Sequence, residues 1–252
     1  MHARAWLAAA LLACAAIPAH AQDPAMRLEA LAERIAKFHA QLGQGVLTDR
    51  SKRGLQDAVR DFDAGLKVVM ARPASAELRD NYLLLKLLWQ EYRGWALKPP
   101  SRDNAKKLAD RVEEVAWIAA KGARLGVEPG RKGTGRLALD AVHAATLAQR
   151  VARLYLLRRW GVRDSSIDKQ LEAASADLRA TLEKLRVTQL NTPEVETELQ
   201  VAEGQLGFLT QAAGELEGGR GSMQQMEFIA KTGDHILESM ERAARLYEGL
   251  AS

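Results

Sequence analysis

Three arginines are the side chains whose type and spacing suggest chemistry. Arg27 and Arg34 stand seven residues apart in the run RLEALAERIAK. On a helix that spacing puts them on one line, bordering an apolar stripe of Leu28, Leu31, Ile35, Phe38 and Leu42. Arg150 takes the equivalent place in LAQRVAR, beside Leu147, Val151 and Leu154. A guanidinium offers a planar fork of donors that matches a small oxyanion such as nitrate, nitrite or a carboxylate. An arginine beside a bundle core also packs its stem on apolar neighbours and pairs with a carboxylate in solvent, and Glu29 and Glu33 are at hand. Both readings of Arg27, Arg34 and Arg150 stay open on the sequence alone.

Other chemistry finds little support. His39, His143 and His235 stand in no HExxH, CxxC or paired-ligand spacing, so no metal site or cofactor is expected. His39 is expected beside the core stripe, holding a hydrogen bond. No G-x-S-x-G occurs, and Cys14 is the only cysteine, so no nucleophile with its base can be named. The carboxylates read as solvated helix faces or i,i+4 partners. Met223 and Met226 read as core packing rather than copper ligands. The glycines of GVEPGRKGTGR, 126–136, lack the G-x-x-x-x-G-K-[ST] order and a preceding strand, so they read as an exposed turn or linker. The expectation is a protein that is not an enzyme.

Helices must position these arginines. Apolar residues recur at alternating steps of four and three: Leu55, Val59, Phe62, Leu66 and Val69 in a second segment, Leu78, Leu85, Leu88, Tyr92 and Trp95 in a third, and Leu108, Val112, Val115, Ala119 and Leu125 in a fourth. Asp23-Pro24 predicts the first helix start, Asp49 or Ser51 the second, Ser75 the third and Ser101 the fourth. LLLKLLW, 83–89, reads as a buried helix face interrupted by Lys86. Four helices with short connections imply an antiparallel bundle.

The pattern then starts again. Arg34 and Arg150 are 116 residues apart, and the same offset carries Gly45-Val46 onto Gly161-Val162, Leu55 onto Leu171, Phe62 onto Leu178 and Leu66 onto Leu182. It slips to 117 at Leu78 and Val195, and reaches 121 where ARL at 123–125 meets ARL at 244–246. Drift between helices with constancy inside them marks a duplicated unit. The fold expected is all-α, two tandem antiparallel four-helix units of the up-down bundle type with about eight helices, spanning 22–126 and 137–252 with a linker at 127–136.

The opening residues predict export. Arg4, the apolar run WLAAALLACAAI and Ala19-His20-Ala21 fit a secretory signal peptide over 1–21, cleaved before Gln22. A lipoprotein signal ending at Cys14 is the rival, with Leu12 a poor fit. A periplasmic or secreted chain without cysteine would rest on a packed core rather than disulfides. Of 36 lysines and arginines only Arg4 is in that leader, leaving 35 against 32 acidic residues, or +3. The charges are interspersed, which gives no footprint for nucleic acid. No later apolar run reaches membrane-spanning length.

With the repeat in view, AERIAKFHAQLGQGV resembles the opening helix of the PilJ-type domain, the N-terminal sensory domain of type IV pilus methyl-accepting chemotaxis transducers, and more distantly the periplasmic bundle of nitrate/nitrite sensors. Arg27, Leu31, Arg34, Ile35, Ala36 and Lys37 match, while Met26, Leu28, Glu29, Ala30, Ala32 and Glu33 depart. RVARLYLLRRWGV at 150–162, NTPEVETELQVAEGQLGFL at 191–209 and IAKTGDHILESMERAARLYEGL at 229–250 are similar to its repeat, with His143 where a first arginine would stand. The resemblance implies a sensory module for a small anion, with Arg34 and Arg150 meeting as in an internal pseudo-dimer, and a membrane-bound signalling or pilus protein as partner. A structural or protein-interaction role in the cell envelope, linked to type IV pili, is the alternative.

Overall fold

The computed structural model describes residues 24–126, 133–162, 166–217 and 222–250, the side chains of 212–217 excepted. The leader assigned to 1–21, Asp23 and most of the linker (127–132) lie outside the described residues. Among the described residues eight helices follow one another: α1 (Pro24–Gly43), α2 (Thr48–Ala71), α3 (Ala76–Ala96), α4 (Arg102–Gly126), α5 (Thr134–Trp160), α6 (Ile167–Arg186), α7 (Pro193–Glu217) and α8 (Met223–Gly249). The all-α bundle read from the sequence is met. None of these helices is long and apolar enough to cross a membrane.

Packing divides the helices into two sets. α1 to α4 close one core around Leu28, Leu31, Ile35, Phe62, Leu85 and Val112, and α5 to α8 close another around Leu154, Leu178, Leu185, Ile236 and Met240. The first core is aromatic: Phe62 and Trp89 stack with centroids 3.9 Å apart, with Tyr92 beside them. At the offset of 117, Tyr82, Leu85, Trp89 and Tyr92 of α3 correspond to Leu199, Ala202, Leu206 and Leu209 of α7, and all eight are buried.

Caps recur with the same offsets. Gly45 and Gly161 end their helices in the left-handed region, at φ 72° and 73°. Each glycine N–H donates to a carbonyl three residues back, Leu42 and Arg158, and the next residue, Val46 or Val162, donates to the carbonyl five back, Gln41 or Leu157. That is the Schellman arrangement, in which glycine avoids the Cβ penalty of the left-handed turn. The Ser75 and Ser101 side chains accept from the N–H of Leu78 and Asn104, as the sequence predicts. Their counterparts Thr192 and Ser222 accept from Val195 and Gln225.

Two expectations are corrected. Neither Asp49 nor Ser51 caps α2, which starts at Thr48 after Leu47; Ser51 is buried and its hydroxyl donates to the Val46 carbonyl at 2.9 Å. In LLLKLLW only Leu85 and Trp89 are buried, while Leu83, Leu84 and Leu87 are 47 %, 44 % and 65 % exposed. A helix turns 100° per residue, so six apolar residues in seven cannot all face one core.

The two sets meet along α1 and α5. Glu29 meets His143, Glu33 meets Arg150 and Arg153, and the Gln44 side chain donates to the Leu156 carbonyl, so the helices run parallel and in register. Small side chains permit the approach: Ala25, Ala30 and Ala40 on α1 and Ala141, Ala144, Ala145 and Ala148 on α5 are all buried in the core of the second set. Both helices are therefore packed on opposite sides, and α1 is not the one-stripe surface helix that its leucines suggest.

Candidate functional site

Packing of α1 and α5 on opposite sides carries charged side chains into the interior. Glu33, Lys37 and Arg153 are fully buried, and Asp234 nearly so. Unpaired, each would cost several kcal/mol to desolvate, so each must have partners. They fall into two clusters, one on each side of the α1–α5 contact.

The first cluster is a closed ring of four charges. Glu33 accepts from Arg150 Nε at 2.8 Å and from Arg153 Nε at 2.7 Å. Glu113 of α4 accepts from Arg153 Nη2 at 2.7 Å and pairs with Arg150 Nη2 at 3.2 Å. Two guanidiniums balance two carboxylates, although Arg153 Nη1 is itself buried without a hydrogen-bond partner. Burial pushes the Glu33 carboxyl upward, but Arg153 and Arg150 together outweigh it and hold it below its ordinary value of 4.5. Beside the ring, Glu29 faces His143 Nδ1 at 3.4 Å.

The second cluster is built from equivalent positions. Lys37 of α1 corresponds to Arg153 at the offset of 116, and Asp234 of α8 to Glu113 at 121. Lys37 pairs with Asp234 just as Arg153 pairs with Glu113, which is the reciprocal pattern of a two-fold interface. Arg50 of α2 adds a contact to Asp234 at 3.2 Å from a half-exposed side chain. Burial raises the Asp234 carboxyl, but Lys37, with Arg34 and Arg50 further off, brings it below its ordinary value. The Lys37 ammonium is lowered, chiefly by burial, with Asp234 opposing.

The fourth member differs. Where Glu33 stands in the first cluster, the second has Gln149, fully buried. Its amide donates to the Gly233 carbonyl at 2.7 Å, and its Oε1 has no hydrogen-bond partner. Arg34, the counterpart of Arg150, is left with a buried Nε that has no partner and makes no ion pair among the described residues. Its guanidinium carbon lies 5.6 Å from the Phe38 ring centre, and Lys37 Nζ lies 4.9 Å from the same centre. Arg34, Lys37 and Arg50 thus face the single carboxylate of Asp234.

The three arginines named from sequence are therefore separated by role. Arg150 belongs to the neutral ring, Arg34 to the cation-rich cluster, and Arg27 is half-buried with no ion pair among the described residues. Arg34 and Arg150 sit at one level of parallel helices but engage different groups. Glu33, read as a solvent-facing partner, is buried and pairs with α5, not with its own helix. Sequence reasoning missed Lys37, Gln149, Arg153, Glu113 and Asp234 as a set, although three of them lie inside the two heptads already singled out. His39 sits beside the core as expected, with Nδ1 3.4 Å from the Ala96 carbonyl.

A scan against protein-family models gives no match, and searches of curated proteins and of solved structures give none either. The resemblance to the PilJ-type domain rests on the residues quoted for it.

Proposed function

We propose that the chain is a non-enzymatic, exported sensory or binding module of the PilJ type that takes a small anion such as nitrate or nitrite and passes its state to a membrane-bound signalling or pilus protein. One observation carries the reading: Arg34, Lys37 and Arg50 gather at Asp234, and among the described residues no second carboxylate pairs with them. Such a cluster gains from an added negative charge in a partly dehydrated place, where charge-assisted hydrogen bonds are strong. α1 carries Arg34 and Lys37 and contacts α5, so an anion bound there changes the force between the two helix sets.

The test is a thermal-shift series on the purified protein with nitrate, nitrite, acetate, sulfate and chloride. Ligand at a hundred times its dissociation constant stabilises by about 2.7 kcal/mol. A rise in melting temperature that Arg34→Ala abolishes supports the reading. Absence of any rise at millimolar anion turns the assignment to the second reading.

That second reading, a protein-interaction component of the envelope, also has its observation. Leu83, Leu84 and Leu87 of α3 and Trp117 of α4 are exposed, Trp117 by 60 %. Leu84, Leu88, Trp117 and Ile118 line one groove of about 620 Å³ with Glu29 and Arg150 at its edge. Exposed apolar side chains gathered at one place mark contact surfaces. Replacing Leu84 and Trp117 by serine tests it: loss of an envelope partner with unchanged melting temperature supports this reading.

A further inference from the structure

Among the four equivalent positions of the clusters around Arg150 and Arg34, charge differs at one pair of nearly isosteric residues, Glu33 and Gln149. In the first, the Glu33 carboxylate bridges two guanidinium N–H groups, from Arg150 and Arg153, at 2.8 and 2.7 Å. In the second, the matching residue is Gln149, whose amide turns to the Gly233 carbonyl and leaves Arg34 Nε without a partner. An amide matches a carboxylate in shape but brings no charge. Counting the equivalent positions only, Arg150 and Arg153 meet Glu33 and Glu113, whereas Arg34 and Lys37 meet Asp234 alone.

We infer that Glu33 is a built-in ligand that fills the first cluster, and that Gln149 is the residue that keeps the second cluster open to an external anion, which is a planar monoanion of carboxylate size. This deepens, and rests on, the anion-binding reading of the Arg34 cluster. The shape follows from the equivalent group: two oxygens in one plane satisfy two cationic donors one helical turn apart. The single charge follows from the excess at the equivalent positions, which is one. Arg50, half in solvent, is screened and adds attraction without setting the count. One tandem chain accordingly has one site rather than two, because a carboxylate of its own occupies the other.

Gln149→Glu is the decisive variant: it puts a carboxylate where Glu33 stands in the first cluster, gives up the hydrogen bond from the Gln149 amide to the Gly233 carbonyl, and keeps the pairs of Lys37 and Arg50 with Asp234. Melting temperatures of wild type and Gln149→Glu are measured against nitrate, acetate and sulfate. The variant is expected to need about a hundredfold more nitrate or acetate for the same rise, the size of a lost charge-assisted hydrogen-bond pair. In wild type, nitrate and acetate are expected to act at lower concentration than sulfate. The double variant Glu33→Gln with Gln149→Glu moves the site: its response is expected to vanish on Arg150→Ala and to survive Arg34→Ala. If wild type and Gln149→Glu respond at the same midpoint, the role of Gln149 is overturned while anion binding stands. A stronger response to sulfate overturns the planar monoanion. No response in wild type overturns anion binding and this inference together.

Discussion

The ring around Arg150 and the cluster around Arg34 occupy equivalent places on two parallel helices, yet one is neutral and the other is rich in positive charge. The ring holds two arginines and two glutamates, closed by four contacts of 2.7 to 3.2 Å. The cluster holds Arg34, Lys37 and Arg50 against Asp234. Backbone position is the same in both, as the shared helix ends at Gly45 and Gly161 show. Among the four equivalent positions the difference in charge lies in one side chain, Glu33 against Gln149, and Arg50 adds to it. A duplicated helical frame can thus keep one copy as a structural clasp and leave the other with unspent attraction for an anion.

Breaking the ring should have the largest effect. Glu33→Ala leaves Arg153, fully buried, with Glu113 as its remaining partner and frees Arg150 Nε; a loss of about 3–5 kcal/mol is expected in denaturant unfolding. Acid acts next, and on both sides. Glu33 and Asp234 are held below their ordinary values of 4.5 and 3.8 in the folded chain. The unfolded state therefore binds more protons as pH falls through and below those values, and stability should drop there while remaining present at neutral pH. Denaturation midpoints across that range check it, and a Glu33→Gln chain should show a shallower fall. Lys37→Ala should weaken the chain by about 1–2 kcal/mol, less than Glu33→Ala, because Asp234 keeps Arg50 and has Arg34 close by. Arg50→Ala, from a side chain 48 % exposed, should change stability by less than about 1 kcal/mol while weakening any anion response. If Lys37→Ala proved costlier than Glu33→Ala, the contrast between a closed ring and an open cluster would be lost.

Much of the frame was legible in the sequence. The stripe Leu55, Val59, Phe62 and Leu66 is buried as its spacing requires, and Ser75 and Ser101 cap the helices they precede. These are local properties, fixed by a helical period and by the hydrogen-bonding needs of a helix end. The clusters were not legible because burial of a charge depends on what covers it from far along the chain. Glu33 and Lys37 stand at i,i+4 and read as a solvated pair, yet each finds its partner more than a hundred residues away. The trace left in the sequence is alanine: Ala25, Ala30 and Ala40 form a second, small-residue face on α1, opposite its leucines, which marks a helix packed on two sides. The exposed leucines of α3 are the converse case, since apolar type alone does not say which residues a bundle leaves outside.

Positive charge exceeds negative charge beside Arg34 and is matched by it beside Arg150. Crystals grown in bromide test it most directly, because a monovalent anion collects where cations lack partners whatever the shape of the natural ligand. Anomalous diffraction should place a bromide beside Arg34 and Lys37 and none beside Arg150 and Arg153. Equal peaks at both clusters, or a peak at the Arg150 ring alone, would contradict the account.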